Sequence, residues 1–254
     1  MKVLGISMPL VKPGDNLPEM ITEAAKQVGG LQDGDVIVVS SKVVATAQGM
    51  VQELAKIRPS VRAKRIAAKN GQAPEFVELV LREASQVLGV SKGVILTLKD
   101  GLICANAGAD MSNAPPGHAV LMPAKPDRAA EEIRRALAEK SGAKVGVIIA
   151  DSNVKPLRLG TVGQAIGVAR IEPVVDCRGQ PDLYGRPLQI TFRAIADQLA
   201  TAAQVVMGEG NERVPAAVVR EAKVEFAERP KRSPKISPKK CIYFSGQKLV
   251  GHEK

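Results

Sequence analysis

Four short polar stretches of this chain follow apolar segments and carry carboxylates, hydroxyls, amides or lysine. They are "SSK" (40–42), "NAGADMSN" (106–113), "DSN" (151–153) and "MGEGNERVP" (207–215). Loops at strand ends commonly carry the groups that bind ligands. Asp110, Asp151 and Glu209 would repel one another if folding brought them together, and a divalent cation would remove that repulsion. Because two such cations can bridge the phosphates of a nucleotide, the sequence predicts a metal-assisted phosphate site.

The histidine and cysteine content limits the kind of metal that this site could hold. The chain has two histidines, and its three cysteines, Cys104, Cys177 and Cys241, lie far apart in sequence. Zinc sites depend on clustered Cys and His ligands, so a zinc centre is not expected. A metal held by carboxylates, hydroxyls and carbonyls would be a hard cation such as Mg²⁺ or Mn²⁺. The odd cysteine count and the lack of a secretory signal favour a cytoplasmic protein.

Each polar stretch also has a simpler structural interpretation. An Asp that follows a strand is often a turn or cap residue, and Lys42 could be an ordinary surface lysine. The Gly-Glu-Gly of the last stretch is also typical of a flexible turn. Neither the Gly-x-Gly-x-x-Gly spacing of a dinucleotide fold nor a Walker-type Gly-Lys-Ser/Thr motif occurs. Taken singly, these motifs therefore leave both interpretations open.

The net charge of +10 is concentrated at the C-terminus and says little about the rest of the protein. Residues 229–254 contain eight basic side chains and one acidic side chain, which leaves 28 basic against 25 acidic in the other 228 residues. Aromatic residues make up only 2 %, so stacking platforms for nucleic acid are scarce and nucleic acid is not an expected partner. No stretch approaches the roughly 20 consecutive apolar residues of a membrane span, so no membrane association is expected.

Hydrophobic patterning predicts an α+β fold with mixed sheets, hairpins and packed helices. The expected strands are 1–10, 35–41, 144–150, 188–193 and 216–220; the expected helices are 18–30, 60–70, 74–88, 127–142 and 194–206; a hairpin is expected over 93–108. The hairpin would turn at Asp100-Gly101, since Asp-Gly favours the positive φ of tight turns. Regularly spaced prolines follow Arg229, so we expect a folded body over 1–228 and an extended basic tail over 229–254.

Eight segments occur in an order that resembles the coenzyme F420-0:γ-glutamyl ligase family. They span 9–17, 35–44, 62–88, 106–113, 146–153, 160–171, 182–188 and 206–220, and include "PLVKPGDNL", "GVIIADSN" and "VMGEGNERVPAAVVR". The ordered set is far more specific than any single motif. The resemblance covers roughly residues 4–221, and the basic tail has no counterpart in the family pattern.

The resemblance implies a GTP-dependent ligase that adds L-glutamate to a deazaflavin cofactor precursor. It also implies an α+β fold of two intertwined lobes, a homodimer and two divalent cations, Mg²⁺ or Mn²⁺, with K⁺ as a further candidate. The implied metal ligands are Asp110, Asp151 with Ser152, and Glu209. The implied nucleotide-binding residues are Met8, Pro9, Leu10, Val11, Ser41, Lys42, Thr46, Asn113, Met207, Gly208, Glu209, Gly210, Asn211, Glu212, Arg213 and Val214.

The chain departs from the family pattern beside the nucleotide-binding residues. Lys42 stands where the family usually has Thr, and Thr46 stands where a Lys is expected. We expect Lys42, at the end of the same strand as Ser41, to supply the missing phosphate charge. Asn153-Val154-Lys155 replaces a usual Asn-Gly-x, which could alter the acceptor pocket.

The implied reaction forms an amide through an acyl phosphate. Lys42, Lys155 or Arg158 would stabilise charge on the transferred phosphoryl group. Gly160, Gly163 and Gly167 would let the backbone approach the substrates. Alternatives are the same chemistry with ATP or on another acid such as a folate, a non-catalytic nucleotide-binding protein, and a nucleic-acid binder that works through its tail.

Overall fold

A computed structural model describes residues 1–229 and 234–245 of the chain. The α-helices of these residues are α1 Leu17–Ala25, α2 Ser41–Ala47, α3 Val61–Asn70, α4 Pro74–Glu83, α5 Pro126–Ser141 and α6 Ile195–Met207. The strands are β1 Lys2–Ile6, β2 Val36–Ser40, β3 Val51–Glu53, β4 Gln86–Ser91, β5 Val94–Lys99, β6 Leu102–Ala105, β7 His118–Val120, β8 Gly146–Val154, β9 Thr161–Ala169, β10 Val175–Asp176, β11 Phe192–Arg193 and β12 Ala216–Arg220. The predicted α+β class with mixed sheets and packed helices is confirmed.

A five-stranded sheet in the order β1-β12-β2-β8-β9 forms the centre of the fold. β2 and β8 are parallel, and the other neighbours are antiparallel. Side chains alternate between the two faces of a strand, so Ile37 and Val39 join the core cluster on one face. Val36 and Val38 join the cluster on the other face. Helices α1 and α5 cover the first face and α6 covers the second.

A third apolar cluster, separate from the two on the faces of the central sheet, unites α3, α4 and the three-stranded sheet β4-β5-β6. Phe76 and Ile95 are fully buried within it. The predicted hairpin is confirmed, because β5 and β6 are joined at Asp100 and Gly101, whose φ values of 49° and 77° are those of a tight turn. Two further pairs, β3 with β7 and β10 with β11, complete the sheets of the described residues.

Two predicted boundaries near the polar stretches are wrong. The helix expected over 74–88 ends at Glu83, because Ala84 leaves the helical conformation with ψ 132° and the Ser85 amide donates to the Leu98 carbonyl. The following residues form β4 instead. The strand expected over 35–41 ends at Ser40, so Lys42 lies in the first turn of α2 and not on the strand.

Other segments differ in length from the prediction. β8 continues to Val154 rather than ending at residue 150, because β9 remains paired with it to the end. The helix expected over 18–30 becomes a 3₁₀ turn after Ala25. Only Phe192 and Arg193 of the strand expected over 188–193 pair with another strand.

The body of the fold continues past β12. The Glu172 amide donates to the Glu225 carbonyl and the Ala227 amide to the Arg170 carbonyl, while Phe226 packs against the second core cluster. Residues 230–233 and 246–254 of the predicted tail lie outside the described residues. Among residues 1–229 and 234–245, no helix is both long enough and apolar enough to cross a membrane.

Candidate active site

The site lies where β8 outlasts its parallel neighbour β2. The last pair between them is Ser40 with Ala150, and beyond it β8 pairs only with β9. Helix α2 begins directly at the end of β2, so Ser41 is placed beside the exposed edge of β8. Its hydroxyl donates to Asp151 Oδ1 at 2.5 Å. The sequence therefore positions Asp151 within a paired strand rather than on a free loop.

The surroundings of Asp151 disfavour the ionised form of its carboxyl group. Burial raises the pKa of Asp151 above its ordinary value, and the nearby charge of Asp110 raises it further. The hydrogen bond from Ser41 and the charge of Lys42 oppose this rise. Asp110 and Asp151 are therefore close enough for their charges to interact.

Lys42 is the immediate partner of Asp110. Its ammonium donates to Asp110 Oδ2, and also to the Ser112 carbonyl at 2.8 Å and the Ser112 hydroxyl at 2.9 Å. Burial works to raise the pKa of Asp110, but the hydrogen bonds from Lys42 and Ser112 and the charge of Lys42 hold it below its ordinary value. Asp110 is fixed by two backbone hydrogen bonds with Val120. Although the predicted location of Lys42 was wrong, its ammonium lies within the site.

Glu209 joins the site from the loop that follows α6. Its Oε1 accepts from the Ser152 hydroxyl at 2.6 Å and from the Thr161 hydroxyl at 3.3 Å. The Gln204 amide donates to the same oxygen and to the Ser152 hydroxyl. Gln204 and Thr161 were not predicted from the sequence, and the signal for Gln204 is its polarity in the otherwise apolar last turn of α6.

Three hydrogen bonds bring the remaining predicted segments to this loop. The Asn113 amide donates to the Gly210 carbonyl at 2.9 Å. The Met8 amide donates to the Arg213 carbonyl at 3.0 Å, and the Ser40 amide donates to the Pro215 carbonyl at 2.9 Å. Hydrogen bonds thus connect five separate segments of the sequence, three of which carry Asp110, Asp151 and Glu209.

The loop over 208–214 is shaped by its glycines and by Glu212. Gly208 has a φ of 72°, and a Cβ there would lie 2.3 Å from the Glu212 carboxylate carbon. Glu212 Oε2 in turn accepts from the Gly210 amide at 2.8 Å. Only glycine at position 208 allows this side chain to fold back over the loop.

The predicted nucleotide-binding residues differ in what they can offer a ligand. Met8 and Val11 are buried in the core, so only their backbone groups can meet a bound molecule. Pro9 and Leu10 are exposed and line a surface pocket of about 320 Å³. Thr46 lies one helical turn after Lys42, on the same face of α2.

Lys155 and Arg158 lie on the exposed turn between β8 and β9. Within the described residues, neither side chain forms an ion pair or hydrogen bond with the groups around Asp151. Asn153 is buried and donates to the Ile103 carbonyl at 2.6 Å, so it ties β8 to β6. The structure does not bring these two cations to the site as it brings Lys42.

Gly163 and Gly167 have a packing role that differs from the predicted approach to substrates. A Cβ at Gly163 would lie 2.4 Å from the backbone carbonyl of Ala200 in α6. A Cβ at Gly167 would lie 2.4 Å from the Pro126 carbonyl oxygen in α5. These glycines let helices contact β9 directly, whereas Gly160, with a φ of 98°, shapes the turn before it.

The oxygen donors suit a hard divalent cation, although the carboxylates do not form one tight cluster. Within the described part of the chain, no three His, Cys, Asp or Glu side chains lie close enough together to hold a metal ion. Asp110 and Asp151 nevertheless interact through their charges, and burial together with this interaction raises the pKa of Asp151. Ser152 and Glu209 form a second oxygen pair beside it. Both pairs have the chemistry that Mg²⁺ or Mn²⁺ prefers.

The family described as "F420-0:Gamma-glutamyl ligase" matches residues 5–221. The coenzyme F420:L-glutamate ligase of Methanopyrus kandleri is 44 % identical over 238 residues, which cover 92 % of this chain and 93 % of the relative. The enzyme of the same name from Archaeoglobus fulgidus is 43 % identical over 213 residues, which cover 84 % of each chain. All the metal and nucleotide candidates lie inside the matched range.

Proposed function

The chain belongs to the F420-0:γ-glutamyl ligase family, and we propose that it joins L-glutamate to coenzyme F420-0 at the expense of GTP. The observation that carries this proposal is the convergence of separate polar segments on Asp110, Asp151 and Glu209. The relatives from Methanopyrus kandleri and Archaeoglobus fulgidus carry the name coenzyme F420:L-glutamate ligase. We also propose that the protein forms a homodimer, as the family resemblance implies.

The proposed reaction has two steps. The acceptor carboxylate attacks the γ-phosphorus of GTP, which releases GDP and leaves an acyl phosphate. The amine of L-glutamate then attacks the acyl carbon, the C–O bond to phosphate breaks, and the amine loses a proton as the amide forms. Activation is needed because an ionised carboxylate has no good leaving group. Neither step requires a nucleophilic side chain of the protein, so the protein acts by positioning and by charge.

In this proposal, some residues of the site bind the cations and the nucleotide, and others stabilise negative charge on the phosphates. Asp110 and Asp151 would hold one divalent cation, Mg²⁺ or Mn²⁺, and Ser152 with Glu209 would hold a second. Bound there, the cations would supply positive charge against the triphosphate. Lys42 lies beside both aspartates and would bind a phosphate oxygen. The backbone of 8–11 and of 207–214 would hold the rest of the nucleotide.

The test is to incubate the protein with GTP, labelled L-glutamate, F420-0 and Mg²⁺ or Mn²⁺, and to follow GDP and the mass of the acceptor. We expect GDP only when glutamate and acceptor are both present, together with an acceptor heavier by one glutamyl group. The same assay with ATP, or with a folate as acceptor, checks the two alternatives. GDP release without an acceptor, or an unlabelled acceptor, would count against the proposal.

Asp151→Asn should remove at least about 99 % of this activity while the protein stays folded, because the substitution keeps the shape and removes the ligand charge. The matched control is Asp100→Asn, on an exposed turn whose φ of 49° suits Asn. Circular dichroism of both variants checks the fold. An Asp151→Asn variant with near-normal turnover would remove this residue from the site.

A further inference from the structure

A basic groove lies between α3 and β4, and its lining contains no residue of the polar segments described above. Its volume is about 650 Å³, and its walls carry four cationic side chains above two apolar ones. The cations are Arg62, Arg65, Lys69 and Lys92, and the apolar residues are Ile66 and Val90. We call this the α3–β4 groove.

The cations of the groove have no ion-pair partner among the residues that the structure describes. None of the four forms an ion pair within residues 1–229 and 234–245, and no Asp or Glu occurs between residues 54 and 74. By contrast, Arg82 on the next helix pairs with Glu78 at 3.0 Å. Arg62, Arg65 and Lys69 follow the spacing i, i+3, i+7 and share one face of α3, where like charges destabilise a helix. A bound anion would offset that repulsion.

The spacing of these cations fits a ligand with repeated negative charges. The helical rise places Arg65 about 4.5 Å and Lys69 about 10.5 Å along the axis from Arg62. A γ-glutamyl unit adds five backbone bonds, so its α-carboxylates recur about every 6 Å in an extended chain. Each added glutamate consumes one carboxylate of the ligand and brings two, so the ligand gains one negative charge per addition.

The open edge of β4 offers a γ-glutamyl ligand a second kind of contact. β4 is the outer strand of its sheet, with β5 on one side and no strand of the described residues on the other. Val90 and Ser91 of this edge line the groove, so unpaired backbone groups there can pair with the amides of an extended ligand. The groove lining contains no aromatic residue on which nucleobases could stack. These features favour a short oligocarboxylate over nucleic acid.

We propose that the α3–β4 groove binds the oligo-γ-glutamyl tail of the reaction product, an inference that rests on the proposed function. A product whose tail binds there would stay on the protein after leaving the site, and its return to the site would allow further glutamates to be added. The groove would therefore influence the number of glutamates added without taking part in amide formation.

The binding test uses tri-γ-L-glutamate, titrated calorimetrically into the full chain at one low salt concentration. Lys69→Gln should weaken binding about five-fold or more, because a charge-assisted contact is lost. The matched control is Lys64→Gln, which removes the same charge from an exposed position of α3 outside the groove lining, and should change affinity less than about two-fold. Equal affinities for the Lys69→Gln variant and the parent would overturn the proposal. Tighter binding of tripolyphosphate or of a single-stranded oligonucleotide than of tri-γ-L-glutamate would overturn it as well.

A second readout separates this inference from the proposed function. Products of the ligase assay are resolved by mass, and Lys69→Gln should keep the rate of the first addition while lowering the share of products with several glutamates. An unchanged product distribution in this variant would overturn the proposed role of the α3–β4 groove while leaving the ligase proposal intact. Absence of any glutamate addition by the parent would instead refute the ligase proposal, and the calorimetric comparison still decides whether the groove binds the oligocarboxylate.

Discussion

Lys42 is the residue at which this chain departs most clearly from the pattern of its family. In the structure it is the cation nearest the two aspartates, and it is held by Asp110 and Ser112. Without the Lys42 ammonium, the negative charges of Asp110 and Asp151 would repel the triphosphate more strongly. We expect Lys42→Ala to weaken the binding of a non-hydrolysable GTP analogue by about 1.5–3 kcal/mol, the value of a charge-assisted hydrogen bond.

The position of Thr46 provides a rescue that tests the same contact. Residues 42 and 46 lie one turn apart on the same face of α2, so Thr46→Lys in the Lys42→Ala background should recover much of the lost affinity. Lys144→Ala removes an exposed lysine that is far from Lys42 in the sequence, and this variant serves as the control for net charge. Titration of all variants at one salt concentration makes the comparison, and identical affinities for the Lys42→Ala variant and the parent would show that Lys42 does not bind the phosphates.

At the scale of elements, the sequence predicted best where one local rule dominates. The β-branched strand around Val36–Val39 and the Asp100-Gly101 turn each depend on neighbouring residues only, and the structure contains both. The segment 84–88 was wrongly joined to α4, because apolar spacing there suits either a helix or a strand, and pairing with β5 decides between them. The contacts of Gln204 with Glu209 and Ser152 depend on tertiary packing, which local patterns do not contain.

The glycines of β9 illustrate the same limit and lead to a prediction about stability. Because a Cβ at position 163 would meet backbone atoms of α6 at 2.4 Å, Gly163→Ala must push the helix away from the sheet. We expect the free energy of unfolding to fall by about 1–3 kcal/mol, as for other overpacked cores. Urea denaturation followed by circular dichroism provides the measurement.

A suitable control lies in another strand. Gly89 of β4 has no atom within 4 Å of a built Cβ and does not adopt a positive φ, so Gly89→Ala should leave the unfolding free energy within about 0.5 kcal/mol. If Gly163→Ala proves equally mild, the close approach of α6 to β9 is not required for stability, and the substrate-facing role first expected for this glycine regains support.

At the scale of the whole molecule, the question is where the folded body ends. The family match ends at residue 221, but the chain continues to pack beyond it. The guanidinium carbon of Arg170 lies 5.4 Å from the centroid of the Phe226 ring. Arg170 also forms an ion pair with Glu228, with an N–O distance of 2.8 Å. The segment 222–228 therefore belongs to the body, whereas after Arg229 the described residues form only a short 3₁₀ turn, Pro238–Lys240.

Two truncations test this boundary. A chain that ends at Arg229 keeps Phe226 and Glu228, so we expect unchanged ligase activity and an unfolding free energy within about 0.5 kcal/mol of the full chain. A chain that ends at Glu221 loses the burial of Phe226 and the backbone hydrogen bonds to Arg170 and Glu172, and should be destabilised by about 2 kcal/mol or more. Urea denaturation and sedimentation of both chains measure stability and the proposed homodimer together. Loss of activity or of the dimer in the chain ending at Arg229 would place the basic tail inside the functional unit, because that chain retains every described contact between 222–228 and the central sheet.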